Sequence, residues 1–157
     1  MSDSLDRIEN DFHEFLEAIE ACKNGNQSTS LALKNAYDAL YRLTQRYNKE
    51  EKSLNKKQQE VFTNKLRENH FIKGLLRIIR TTGTHISVGD IGVTLYTKDN
   101  IELDLSPSGS AASSFKTNPS PLLLKNGEIF YWDHIKALEE AAKQIQTAIE
   151  KAKKLTN

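Results

Sequence analysis

The chain has 157 residues, 38% of them hydrophobic and 27% charged, which suits one domain with a buried core. Its 22 Lys and Arg stand against 21 Asp and Glu, so global charge marks neither a nucleic-acid nor a membrane partner, and any RNA-contacting role must rest on a local patch. No apolar run reaches the length of a membrane span, the opening Met1-Ser2-Asp3-Ser4-Leu5-Asp6 is unlike a secretory signal, and a single cysteine, Cys22, excludes an internal disulfide; this is the pattern expected of a cytoplasmic protein.

Leu5, Ile8, Phe12, Phe15, Leu16, Ile19 and Cys22 repeat at three- and four-residue spacing and predict a first helix with one buried face. Asp3 or Ser4 can cap its start, and Asn24-Gly25-Asn26 ends it. Cys22 reads as a small core residue at the helix end rather than a nucleophile, because nothing nearby would favour its thiolate. A second helix begins near Ser28 to Ser30, carries Leu33, Ala36, Tyr37, Leu40, Leu43 and Tyr47, and ends in the polar run Asn48-Lys49-Glu50-Glu51-Lys52. Ser53 is the expected cap of a charged third helix with Leu54, Val61, Phe62 and Leu66 on its thin apolar face. Asn69 is the expected cap of a fourth, from Phe71 to Arg80, in which Gly74 suggests close packing against another helix.

The period changes at Gly83. Ile86, Val88, Ile91, Val93 and Leu95, then Ile101, Leu103 and Leu105, alternate with period two around a turn at Lys98-Asp99-Asn100. Residues 107–121, rich in Ser, Pro, Gly and Ala, read as a mobile loop. Leu122 to Trp132 reads as a second hairpin, with Asn126-Gly127 as a type I′ turn. Asp133 then caps a long last helix lined by Ile135, Leu138, Ala142, Ile145, Ile149, Ala152 and Leu155, with lysines at its end. The expected architecture is α+β and mainly α. It is a single domain, with a helical part over 1–82, a β-hairpin insertion over 84–132 and a C-terminal helix over 133–155.

Candidate chemistry is sparse. His13, His70, His85 and His134 show no metal-ligand spacing among themselves and no cysteine pair exists, so no metal site is expected. Gly89-Asp90-Ile91-Gly92 lacks the Lys and the helix of a phosphate loop, and no cofactor motif appears. His13 falls opposite the apolar stripe of the first helix and reads as solvated.

Arg80-Thr81-Thr82-Gly83-Thr84-His85, approached through Leu75-Leu76-Arg77-Ile78-Ile79, closes the fourth helix and opens the strand-like run. This arrangement resembles the HEPN superfamily. Its members are small helical domains, often dimeric, and many are ribonucleases of bacterial toxin and phage-defence systems; their motif is an arginine, four to six residues, then a histidine. The resemblance covers 1–85 and the closing helix over 133–155. It implies that Arg80 binds the scissile phosphate, for which a planar guanidinium donating two parallel hydrogen bonds is suited. It implies that His85 moves the proton of the 2′-hydroxyl or of the leaving oxygen, because histidine titrates near neutrality. It further implies RNA as substrate, no metal, and a homodimer whose protomers each place one such pair in a shared cleft. The plain alternative is that Arg80 caps carbonyls at a helix end while His85 begins an edge strand. Arg7 and His13 fit the spacing too, but lie within an amphipathic helix.

Lys49, Lys52, Lys56, Lys57, Lys65 and Arg67 gather around the third helix among Glu50, Glu51, Glu60 and Glu68, either as a solvated face or as an RNA-contacting rim. Lys56, Lys57 and Arg77 are the candidate RNA contacts. Tyr96, Phe130, Tyr131 and Trp132 could stack on bases, or serve as core and interface residues. The last helix could pair with a second copy or pack within its own domain. The alternative function is a non-catalytic interaction module (an antitoxin, adaptor or inhibitor), using the hairpins and the Ser-rich loop to bind a protein partner.

Overall fold

A computed structural model describes residues 3–25, 29–80, 94–106 and 117–155, with Ile79 and Arg80 described through their backbone only. The fold is α+β and mainly α. The helices are α1 (Asp3–Asn24), α2 (Thr29–Glu50), α3 (Lys56–Leu66), α4 (His70–Arg80) and α5 (His134–Lys154), and a short 3-10 turn, Glu51–Ser53, follows α2. Strands β1 (Thr94–Tyr96) and β2 (Glu102–Asp104) form one antiparallel pair, and β3 (Ser120–Leu123) and β4 (Ile129–Trp132) another. The two pairs are stitched together where Leu105 bridges Leu124. Among the described residues, no helix is long and apolar enough to cross a membrane.

Helices α1 and α2 form an antiparallel hairpin, since Arg7 reaches Glu50 at one end and Arg46 reaches Asp11 a turn further on. Helix α5 lies antiparallel to α1, with Lys23 on Glu139 and Lys153 on Glu9. The predicted stripes meet in one core that includes Ile8, Phe15, Leu33, Leu40, Leu43, Phe62, Ile72, Leu138, Ile145 and Ile149. The apolar stripe of α5 is therefore consumed inside its own domain, against α1 and α3. Full burial of an aliphatic or aromatic side chain contributes about 1.5–3 kcal/mol, so this shared face is the main source of cohesion.

The third helix starts later than expected. Ser53 lies in the 3-10 turn, and the cap is Asn55, whose extended backbone lets its Oδ1 accept from the Gln58 amide at 2.9 Å while Gln58 Oε1 accepts from the Asn55 amide at 3.1 Å. Leu54 precedes the helix yet is buried. The same two side chains reach across to the end of α5: Asn55 Nδ2 donates to Leu155 O, a carbonyl the helix leaves unpaired, and Gln58 Nε2 donates to Ala152 O, which also accepts from the Leu155 amide. Asn69 caps α4 as expected, accepting from the Ile72 amide. Gly74 packs on a strand rather than a helix: a Cβ there would stand 3.5 Å from Leu95 Cα and from the Tyr96 amide.

Both hairpins use the same turn, and it is not type I′. In each, an i→i+3 hydrogen bond (Asn100 N to Thr97 O, Gly127 N to Leu124 O) precedes one left-handed residue, Asn100 (φ 65°) or Gly127 (φ 89°). This is the three-residue loop with a glycine-type bulge, in which only the last loop position needs positive φ. Asn126 is not at positive φ; its Oδ1 instead accepts from the Glu128 amide. Ile101, expected among the buried alternating residues, is displaced by the first turn and is 59% exposed, whereas Leu95, Leu103 and Leu105 are buried. The expected loop over 107–121 is shorter at its end: 120–123 is strand, and Asn118 ties the residues just before it to the start of α5. Residues 107–116, and Ile86, Val88, Ile91 and Val93 of the expected first strand, lie outside the described residues.

Replacing Gly127 by valine should lower unfolding stability by about 1–2 kcal/mol, the cost of forcing a β-carbon into the left-handed region; urea titration measures it, and an unchanged midpoint would refute the turn assignment. A second expectation concerns acid. Arg7 donates to Glu50 at 2.7 Å, and this bond holds the Glu50 carboxyl down to about 2, from 4.5, against the opposing effect of burial. A group whose folded value is depressed stabilises fully above its unfolded value and loses that contribution as pH falls through the folded one. The stability difference between the native chain and Glu50→Gln should therefore be largest above pH 4.5 and close towards pH 2. A difference that stays constant over that interval would show that the ion pair does not stabilise the fold.

Candidate functional site

Arg80 is the last residue of α4, so its backbone is positioned by the same helix that buries Phe71, Ile72, Leu75, Leu76 and Ile78. His85 lies outside the described residues. The opposite face of α4 is polar. Lys73 is half-buried and Arg77 is exposed, and the positions 73, 77 and 80 follow at i+4 and i+3, one helical face. No acidic residue occurs in α4. Lys73, not among the residues expected to touch RNA, shares this face with Arg77 and position 80 by its spacing.

Lys73 and Arg77 line a pocket of about 260 Å³ between α2, the end of α3 and α4, together with Thr44, Gln45, Asn48 and Arg67. Arg67 is fixed there. Its guanidinium bonds both oxygens of Glu51, at 2.8 and 2.9 Å, donates to Asn48 Oδ1 at 2.7 Å, and sits 5.0 Å over the Tyr47 ring. The bond from Arg67 holds the Glu51 carboxyl below the usual glutamate range.

The structure separates the other expected RNA contacts from this face. Lys57 lines a different groove, of about 580 Å³ between α3 and α5, with Glu60, Lys65 and Lys151. Lys56, exposed in the first turn of α3, lines neither. Of the aromatic residues, Trp132 is core and Tyr131 is 65% exposed, and both line, with Phe130 and Phe71, a third groove of about 440 Å³ beside α5. Tyr96 stacks near His70, their rings 5.0 Å apart. His13 is exposed, as its place opposite the stripe implies.

Sequence reasoning finds no role for His134, and the structure gives it one. Its Nδ1 lies 2.8 Å from the Tyr37 hydroxyl and its Nε2 lies 2.8 Å from Ser120 Oγ, with all three residues buried. Ser120 donates its proton to Thr117 O at 2.7 Å, so His134 Nε2 is the donor to Ser120. Tyr37 then donates to Nδ1 and accepts from Trp132 Nε1 at 3.3 Å. A serine so committed has no base to activate it, and the Ser-His pair is a strut rather than a nucleophile. Burial pushes the Tyr37 phenol well above its ordinary value, which keeps it a donor. Asn118 completes the joint: its Oδ1 accepts from the His134 amide at 2.6 Å, and its Nδ2 donates to the capping Asp133 carboxylate at 3.1 Å. Burial pushes the Cys22 thiol up, and its Sγ bonds Ala18 O, in keeping with a packing role. Among the described residues, no cluster of three or more His, Cys, Asp or Glu could hold a metal ion.

No protein-family model matches the chain, and no curated protein or solved structure is detectably similar to it.

Tyr37→Phe should destabilise the fold by about 1–3 kcal/mol, the cost of removing a partner from buried polar groups, because it takes away the hydroxyl that bonds His134 Nδ1 and Trp132 Nε1. Trp132 is the only tryptophan, so its fluorescence reports the change directly. A Tyr37→Phe variant as stable as the native chain, with unshifted emission, would show that the strut carries no stability.

Proposed function

We propose that this chain is an RNA-cleaving domain of the HEPN-like kind, of the toxin or phage-defence type, working as a homodimer. The observation that carries the reading is that position 80 ends the cationic face of α4, beside Arg77 and Lys73, on a helix anchored in the core by its other face. A guanidinium at the end of such a face meets a phosphate whose negative charge is already attracted along the helix. In this reading His85 takes the proton from the 2′-hydroxyl, the 2′-oxygen attacks phosphorus, and the 5′-oxygen leaves after receiving a proton. Arg80 stabilises the charge that builds on the phosphoryl oxygens. The chemistry needs no metal. The second protomer supplies the facing pair, and the interface lies away from the α5 stripe, which α1 and α3 already cover.

One observation favours a second reading, the non-catalytic module that binds a protein partner. Ile101, Ile129 and Tyr131 are all exposed, and all three lie on the hairpins. Apolar residues gathered on one part of a surface mark contact sites.

Purified protein should cleave single-stranded or structured RNA in EDTA, leaving a 2′,3′-cyclic phosphate. Arg80→Ala and His85→Ala should each lower the rate by about 10²–10⁴-fold, the usual contribution of a positioned acid or base and a comparable loss for the phosphate clamp. Both variants should melt like the native chain. If the native dimer cleaves none of a varied RNA set, the nuclease reading fails and the interaction module stands.

A further inference from the structure

Resting on the homodimer of the reading above, we propose that a second copy of this chain docks along the outer edge of β4, pairing the two β4 strands antiparallel about a two-fold axis beside Phe130. The hydrogen bonds of the sheet show which backbone groups a partner would meet. The Leu124 amide donates to Glu128 O, and Leu123 O accepts from the Ser106 amide on the side of β2. Bonded and non-bonded pairs alternate along an antiparallel ladder. In the register Leu122↔Phe130 and Ser120↔Trp132, Phe130 and Trp132 therefore bond β3, while the amides and carbonyls of Ile129 and Tyr131 point away from it. Among the described residues, β3 is the strand hydrogen-bonded to β4, and its other side is a sheet edge. Natural sheets guard such an edge with a charge, a proline or a bulge. Ile129 and Tyr131 supply none of these, and their side chains are exposed.

The strand is its own complement. With the axis beside Phe130, Ile129 stands opposite Tyr131 of the second copy, and Tyr131 opposite its Ile129. Both are bonded pairs, each exchanging two hydrogen bonds. Each also sets a β-branched side chain against an aromatic one, a favourable cross-strand contact. A slip of two residues in either direction leaves one such pair within β4, so the strand selects a single register. On the other face Phe130 meets Phe130 of the second copy. That face borders the groove lined by Phe71, Phe130, Trp132 and Ala137, so the incoming ring is received by an aromatic wall. Glu128 falls opposite Trp132 of the second copy, and no like charges face each other between 128 and 132. A two-fold contact needs this self-complementarity, which an unrelated extended peptide would match only by having a similar sequence.

Sedimentation equilibrium tests the interface. The native chain should give twice its 17.8 kDa mass. Ile129→Lys/Tyr131→Lys places lysines opposite lysines and should give the single mass, as should Ile129→Glu/Tyr131→Glu; circular dichroism checks that both remain folded. An equimolar mixture of the two variants sets each lysine opposite a glutamate and should restore the double mass. Cross-linking gives an independent readout. Residues of a non-bonded pair lie about 4.5 Å apart at Cα, within the span of a disulfide. In a Cys22→Ala background, Phe130→Cys should therefore oxidise to a covalent dimer, whereas Ile101→Cys, exposed on the other hairpin, should not. A monomeric native chain, a lysine variant that stays dimeric, folded variants that do not re-pair when mixed, or equal cross-linking at 101 and 130 would each overturn the proposal. Should the charged variants unfold, the cross-link decides alone. RNA cleavage by a native chain that fails these tests removes this interface and leaves the nuclease reading; a β4-paired dimer that cleaves no RNA removes the nuclease reading alone.

Discussion

The fold depends on one chain of hydrogen bonds, Trp132 to Tyr37 to His134 to Ser120 to Thr117, buried from Trp132 to Ser120. Its members come from α2, β3, β4, the first turn of α5 and the segment just before β3. Helical packing alone would join α1, α2, α3 and α5, because their apolar stripes face one another. The second hairpin has a smaller stripe to offer: Leu122 and Trp132 are buried, while Ile129 and Tyr131 face outward. The polar chain fixes where that hairpin sits. The links from Trp132 to Ser120 are buried and must be satisfied at once, so the hairpin has one position relative to α2 and α5 in which none of their donors is left over. Asn118 applies the same constraint to the start of α5, where its side chain closes on the His134 amide and the Asp133 carboxylate.

The helices were legible because their information is local. The stripe of α1, the Asn69 cap and the Asp133 cap each lie within a few residues of what they determine. Misjudgements arose where two local signals competed. Ser53 looks like a cap, but Asn55 is followed three residues later by Gln58, and the reciprocal pair wins. Asn126-Gly127 suits a type I′ turn, but Leu124 accepts from Gly127 and donates to Glu128, and that register needs positive φ at Gly127 alone. The role of His134 was out of reach for another reason. Tyr37 is 97 residues from it, and no periodicity in either neighbourhood encodes the pairing. The same holds for Gly74, whose partner is the strand at Leu95. Of the candidate site, the motif supplies Arg80 and His85 and the run leading to it supplies Arg77, while the place of Lys73 on the same face emerges only when α4 is treated as a helix with two faces.

Those two faces of α4 meet different physical demands. The inner one is explained by packing: Phe71, Ile72, Leu75 and Ile78 are buried, and Gly74 lies against the backbone of β1. The outer one carries Lys73 and Arg77. Like charges at i and i+4 destabilise an isolated helix by about 0.2–0.5 kcal/mol, and Lys73 and Arg77 are such a pair with no acid elsewhere in α4. The cavity they line adds Arg67 and, among the described residues, no carboxylate. The helix dipole favours cations in the last turn, which accounts for Arg77 and Arg80 in part, but Lys73 sits in the first half of the helix, where the dipole opposes it.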